Sequence, residues 1–271
     1  MAKVKAFLKS KKMVTIVWVI GIIVIWEVFA FIVENTKRTP INVLPHLYQI
    51  IGSFFSDAKV SGQLTMAELI GQSCQETLLR AGLGFIIGTL LGYALALLMN
   101  LSRAVEKIAF PYLMIIQMIP ILGMAPIILA ITKDINSSRI VIAAILTFYP
   151  VSTNVLAGFK SVEREKHELM YSYAANKFQL YTKTLIPACI PYLFTGLKIS
   201  APMAITASIL VDTLQGGNGL GCMLSQSLKG GMTRLVFWDI VLISAAIGIL
   251  SFWVMGVIER LLCPYRKKKS D

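Results

Sequence analysis

The sequence predicts an all-α fold: a polytopic membrane helix bundle of about six transmembrane helices. Three observations carry that reading. Of 271 residues, 56% are hydrophobic and only 15% charged, where a soluble domain is nearer a quarter charged, and the mean hydropathy is +0.72. Six runs are apolar over the roughly 20 residues a bilayer crossing needs. The excess of basic over acidic residues, a net charge of +12, sits in clusters between those runs. Cytoplasmic anchoring explains such clusters better than a nucleic-acid surface. The chain reads as a single membrane domain, 1–271, with a core at 78–262.

The first run is Met13–Val33, too long and wrongly flanked for a cleaved signal peptide. Further runs follow at about Leu78–Met99, Ile108–Ile131, Arg139–Gly158, Pro191–Val211 and Val236–Ile258. Pro120, Pro126 and Pro150 interrupt the third and fourth, and such breaks persist in membranes where neighbours satisfy the freed backbone groups. Seventeen of the 26 Lys and Arg residues flank one side, including Lys3, Lys160, Lys177 and Lys267; eight flank the other, and Lys198 lies within a span. This bias places both termini in the cytoplasm. The four cysteines show neither disulfide-framework nor zinc spacing, and no metal site is expected.

The outer segment 34–77 holds Pro40–Phe55, whose apolar spacing fits a short interfacial helix. A second outer loop, 212–235, contains Gly216, Gly217, Gly219 and Gly221. Gly84, Gly88 and Gly92 form a repeated GxxxG that lets helices approach closely, within the chain or against a second copy. Met114, Met118 and Met124 read mostly as core packing. Glu27, inside the first span, calls for a partner in the bundle, and Asp212 reads as an interfacial residue.

The cytoplasmic loop 159–187 is the most informative stretch. Glu163–Tyr173 has a helix-forming composition with acids in the first turn, where the helix dipole favours them. Ala174-Ala175-Asn176 breaks the pattern, and Phe178–Thr184 reads as a second short helix. A helix–turn–helix between two spans, with Leu169, Met170 and Tyr173 on one side, suits a groove on a partner; an amphipathic hairpin on the lipid surface fits the same pattern.

This loop resembles the EAA loop of permease subunits of binding-protein-dependent ABC importers. Glu168 matches the Glu of that pattern, Leu169 and Met170 replace its two alanines, Ala174 stands at its Gly, and Leu185-Ile186-Pro187 matches its closing element. Residues Ala188–Lys198, Gly84–Gly92, Pro111–Pro126 and Gly219-Leu220-Gly221 resemble the nitrate/sulfonate/taurine branch. The family Gly permits positive φ in the turn. With alanine there, Asn176 is the alternative left-handed residue.

The resemblance implies a multi-pass subunit of a bacterial-type inner membrane that forms half of a solute pathway beside a second permease subunit, itself or a sister. An extracytoplasmic binding protein delivers the solute. A dimer of ATP-binding subunits docks on the loop through Glu168, Leu169, Met170, Tyr173, Ala174 and Phe178. No GxxxxGK[ST] phosphate loop occurs in the chain, so ATP and magnesium belong to that partner; no catalytic residue or cofactor is expected here. Thr195, Lys198 and Thr206, on one row of the fifth span, and Gln117 in the third are the candidate pathway residues. For Lys198, snorkelling or structural pairing competes with a pathway role. The solutes implied are small anions or heterocycles: sulfonates, taurine, nitrate, thiamine-pyrimidine precursors or riboflavin. The rival class is a stand-alone secondary transporter, which calls for coupling-ion chemistry and often inverted repeats; the spans hold little of the first and no evident trace of the second.

Overall fold

The computed structural model describes residues 11–56, 59–61, 64–230 and 232–263. They are almost entirely helical. The helices are α1 (Lys11–Thr36), α2 (Leu47–Phe54), α3 (Met66–Leu101), α4 (Arg103–Met118), α5 (Ile121–Thr132), α6 (Ile135–Lys160), α7 (Arg164–Ser172), α8 (Lys177–Leu180), α9 (Ile186–Gln215), α10 (Leu220–Leu228) and α11 (Arg234–Leu262). A small antiparallel hairpin, β1 (Lys59–Ser61) with β2 (Leu64–Thr65), precedes α3. The chain divides into two compact units: residues up to Ile70 with Gln226–Val241, and Gly71–Ser225 with the chain from Leu242.

In the first unit, α1 exposes apolar side chains around most of its circumference, the pattern of a helix solvated by lipid. The expected interfacial helix is shorter than Pro40–Phe55: a 3-10 turn at Pro40–Asn42, then α2. At its start the His46 N–H donates to Gln49 Oε1 at 3.1 Å, and the Gln49 N–H donates back to the His46 carbonyl at 3.0 Å.

The second unit is built on glycine-mediated contacts. A Cβ at Gly84 would lie 2.5 Å from Ala143 Cβ, one at Gly88 2.4 Å from Ala144 O, and one at Gly92 2.9 Å from Phe148 O. The GxxxG repeat is therefore spent inside the chain, on α6. Contacts on α6 advance in the same direction as those on α3, so the two helices run parallel. Gly158 packs on Cys189 and Gly196 on Pro150, while Gln215 Nε2 donates to Ser138 Oγ at 2.9 Å, so α9 runs antiparallel to α6.

Five helices are long and apolar enough to cross a membrane; α4 and α5 pass that test only as a pair bent by 111°. The parallel packing of α3 and α6 decides how to count that pair. The end of α3 and the start of α6 lie at opposite ends of parallel helices, so α4 and α5 must carry the chain back between them. Counted as one broken span, they bring the candidate crossings among the described residues from five to six. Pro120, the N-cap of α5, lies at the break, where its missing N–H costs no ladder bond.

Several boundaries differ from expectation. Residues 66–77, read as outer loop, are the first turns of α3. The second outer loop folds into α10. Met118 is among the most exposed side chains and Met114 is also exposed, so the methionine stripe of the third span is not core in this chain; Met124 alone packs on the core, against Ala125 and Ile128.

Candidate functional site

Helix α6 ends at Lys160, which forms an ion pair with Glu106 on α4. The chain then leaves the bundle. Not one of the nine residues of α7 is buried. Glu168 lies on this exposed helix, with Arg164 Nε 2.8 Å from its Oε1; it pairs one turn back and does not cap the following turn. That turn is closed by backbone: Ala175 N–H donates to Met170 O at 3.0 Å and Ala174 N–H to Tyr171 O at 2.9 Å, a Schellman ending. Such an ending needs one left-handed residue, and it is Ala174, at φ 52. Asn176 is not the left-handed residue; its φ is −76. Its side chain instead accepts the Gln179 N–H at 2.8 Å, capping α8. The alanine thus takes the conformation the family glycine permits and bears the steric cost.

The second short helix is not separate. It runs from Lys177 through a π turn at Tyr181–Leu185 straight into α9. Pro187 lacks an N–H and crowds the carbonyl four residues back, and the ladder accommodates one wider turn there. Tyr181 joins this turn to the bundle: Asn100 Nδ2 donates to its hydroxyl oxygen at 2.8 Å, and its ring meets Phe159 edge-on at 6.3 Å. Around the loop, Leu169, Tyr171 (86% exposed), Tyr173 (76%) and Phe178 (75%) are open, while Met170 is half-buried.

The candidate pathway residues do not converge. Thr195 and Thr206 lie on one exposed face of α9 with Tyr192 and Ile199, and their hydroxyls donate to Pro191 O and Pro202 O. Lys198 turns away to an ion pair with Glu259 of α11. Gln117 is exposed on α4. An apolar cavity of about 330 Å³ between α3, α4 and α6, lined by residues such as Leu91, Ile140 and Phe148, presents no polar group to orient a charged solute.

At the other end of α9 lies a cluster that the sequence reading missed. Asp212 is fully buried and 2.8 Å from Arg139 Nε, itself 1% exposed. Thr77 Oγ1 donates to Asp212 Oδ2 at 2.9 Å, and Arg80 Nη1 approaches Oδ1 at 3.6 Å. The arginines also hold the glycine loop: Arg80 and Arg139 both donate to Asn218 O, and Arg139 also to Gly216 O. Gly219, at φ +119, leaves no room for a side chain; a Cβ would stand 2.2 Å from Asp212 Oδ2. The available signal was depth, since Arg80, Arg139 and Asp212 all sit at the same end of their spans.

In the first unit Glu27 finds its partner outside its own span. Its Oε1 accepts the Leu47 N–H at 2.9 Å, and His46 Nδ1 lies 2.6 Å from Oε2. His46 Nε2 faces Glu34 at 3.3 Å. The hydrogen bond to Glu27 raises the His46 pKa above its ordinary value, reinforced by Glu34 and opposed by partial burial. Among the described residues no three His, Cys, Asp or Glu side chains form a group able to hold a metal ion.

Comparison with known proteins agrees with this architecture. The family model described as the binding-protein-dependent transport system inner membrane component matches residues 84–262. The chain is 30% identical to the formylaminopyrimidine transport permease protein ThiX of Halalkalibacterium halodurans, over 92% of this chain and 94% of that protein. It is 25% identical to the nitrate import permease protein NrtB of Leptolyngbya laminosa, over 87% and 82% respectively. Its fold is similar to that of a chain of the MetNI methionine ABC transporter in an inward-facing conformation, with a TM-score of 0.62 at 19% identity, covering 72% of this chain and 97% of that one. Five to six candidate crossings, an exposed helical loop between the fourth and fifth of them, and a family match running from the second span to the last lead to one assignment: the chain belongs to the inner membrane components of binding-protein-dependent transport systems and is a permease subunit of an ABC importer.

Proposed function

We propose that the 159–187 loop is the docking element for a separate ATP-binding subunit, and that closure of two such subunits drives the spans between inward- and outward-facing states. The observation that carries this reading is the exposure of the loop: α7 has no fully buried residue, and the loop presents Leu169 and Tyr171 on α7, Tyr173 in the turn and Phe178 on α8. Aromatic side chains on a short helix are the anchors a groove recognises. Glu168 supplies the charge beside them, exchanging Arg164 for a cation of the partner. ATP and magnesium are held by that partner.

The chain forms half of a pathway with a copy of itself or a sister subunit, and a binding protein feeds its outer face. The Lys and Arg bias supports a cytoplasmic position for both termini. The relatives' names support a small heterocycle or anion as solute, a pyrimidine or nitrate. The exposed row Thr195 to Thr206 is the best pathway face, whereas Lys198, neutralised by Glu259, provides no free charge for an anion.

The test is co-purification of the tagged chain from native membranes in mild detergent, with ATP hydrolysis assayed in the same fraction. The expected outcome is an ATP-binding subunit in the complex, largely lost on Phe178→Ala. A chain that purifies alone from intact membranes would overturn the reading in favour of a secondary transporter.

A further inference from the structure

We propose that the π turn at Tyr181–Leu185, held by Tyr181 against Asn100, sets the rotational register between the docking helices and the fifth span, making Tyr181 a positioning residue for coupling. This inference rests on the docking reading above.

Lys177 to Gln215 is one continuous helical path interrupted only by this turn. Within it, the Ile186 N–H reaches back five residues to Tyr181 O, so the turn contains one residue more than an α-helical turn. One residue corresponds to about 100° of rotation about a helix axis. Without the wide turn, α8 and Phe178 would face a different direction relative to α9. Pro187 disfavours the regular alternative, because the Lys183 carbonyl has no N–H to accept and is crowded by the ring.

The turn is also where the loop is tied to the bundle. Asn100, the penultimate residue of α3, donates to the Tyr181 hydroxyl oxygen at 2.8 Å. Phe159 of α6, itself buried, packs against the Tyr181 ring, and Leu185 closes the turn in the same core cluster. Helix α7, a few residues upstream, has no buried residue at all. On its downstream side the exposed loop therefore enters the packed core at Leu180 and Tyr181, where the second, fourth and fifth spans come together. Wide turns inside α-helices concentrate at functional sites.

The test uses the complex of this chain with its ATP-binding subunit. Hydrogen–deuterium exchange is followed at residues 215–220, the far end of the fifth span, with and without ATP–magnesium and vanadate. Tyr181→Phe removes only the hydroxyl, and Pro187→Ala restores the N–H that permits a regular turn. In both variants the complex is expected at wild-type yield with ATP hydrolysis retained. The nucleotide-dependent difference in exchange is expected to shrink by roughly threefold or more, the scale for residues that carry coupling without touching either ligand. A purely structural role would lower yield and hydrolysis together. An intact complex with an undiminished difference in both variants overturns the proposal, and so does a wild-type complex whose outer loop does not respond to nucleotide. Failure of the wild-type chain to bring down an ATP-binding subunit overturns the docking reading instead.

Discussion

Asp212 and Arg139 stand 2.8 Å apart with almost no exposed surface, one at the end of the fifth span and the other in the first turns of the fourth. Neither Arg139 Nε nor Asp212 Oδ1 has an aligned hydrogen-bond partner, so Coulomb attraction between two desolvated charges holds that contact. Removing one partner strands the other. Asp212→Ala is expected to cost about 3–5 kcal/mol, read as a large drop in the thermal midpoint of the detergent-solubilised protein. The paired replacement Arg139→Met with Asp212→Leu recovers much of that loss. If Asp212→Ala melted like the wild type, the pair would not be what locks the glycine loop.

The turn after α7 offers a gain rather than a loss. Ala174 occupies left-handed backbone at φ 52, where a Cβ is penalised. Ala174→Gly is expected to stabilise α7 by about 0.5–1 kcal/mol, and Asn176→Ala to weaken α8 by about 1 kcal/mol. Amide exchange across 164–180 reads both, slower in the first and faster in the second. Faster exchange in Ala174→Gly would contradict the strain argument.

His46 gives the outer segment a pH dependence. Its two ring nitrogens face Glu27 and Glu34, and only the imidazolium donates to both. Because the hydrogen bond to Glu27 raises the folded-state pKa above the ordinary histidine value of about 6.5, the protonated form stabilises the fold. That contribution is complete below about pH 6.5 and is lost as pH rises through the elevated folded value. The thermal midpoint is expected to fall as pH rises above about 6.5, and His46→Gln to flatten that slope. An equal slope in both proteins would assign the dependence to other groups.

Lys198 and Glu259 are expected to behave as one unit. Each single change, Lys198→Met or Glu259→Met, removes one member of the ion pair and is expected to cost a few kcal/mol. The double change should restore most of the stability and solute uptake. Uptake that stays abolished in a stable double variant would return Lys198 to the pathway.

Composition, run length and basic bias were enough to show a membrane bundle, because burial in lipid demands long apolar helices whatever their partners. The helix–turn–helix at 161–187 was equally legible, since caps and turns are local. Local reasoning failed where a choice depended on neighbours. Asn and Ala both fitted the left-handed position, and only the Schellman geometry assigned it to Ala174. The proline-broken third span looked ambiguous until the parallel packing of α3 on α6 required a return crossing.

Sequence alone determined the class of protein, the number of crossings to within one, and the position of the exposed loop, because each follows from the residues' own preference for lipid or water. Tertiary structure decided the partners of Glu27, Lys198 and Asp212, and the route by which α8 enters the fifth span. A buried charge or a wide turn is settled by what another helix places opposite it, and those placements join residues tens to more than a hundred positions apart.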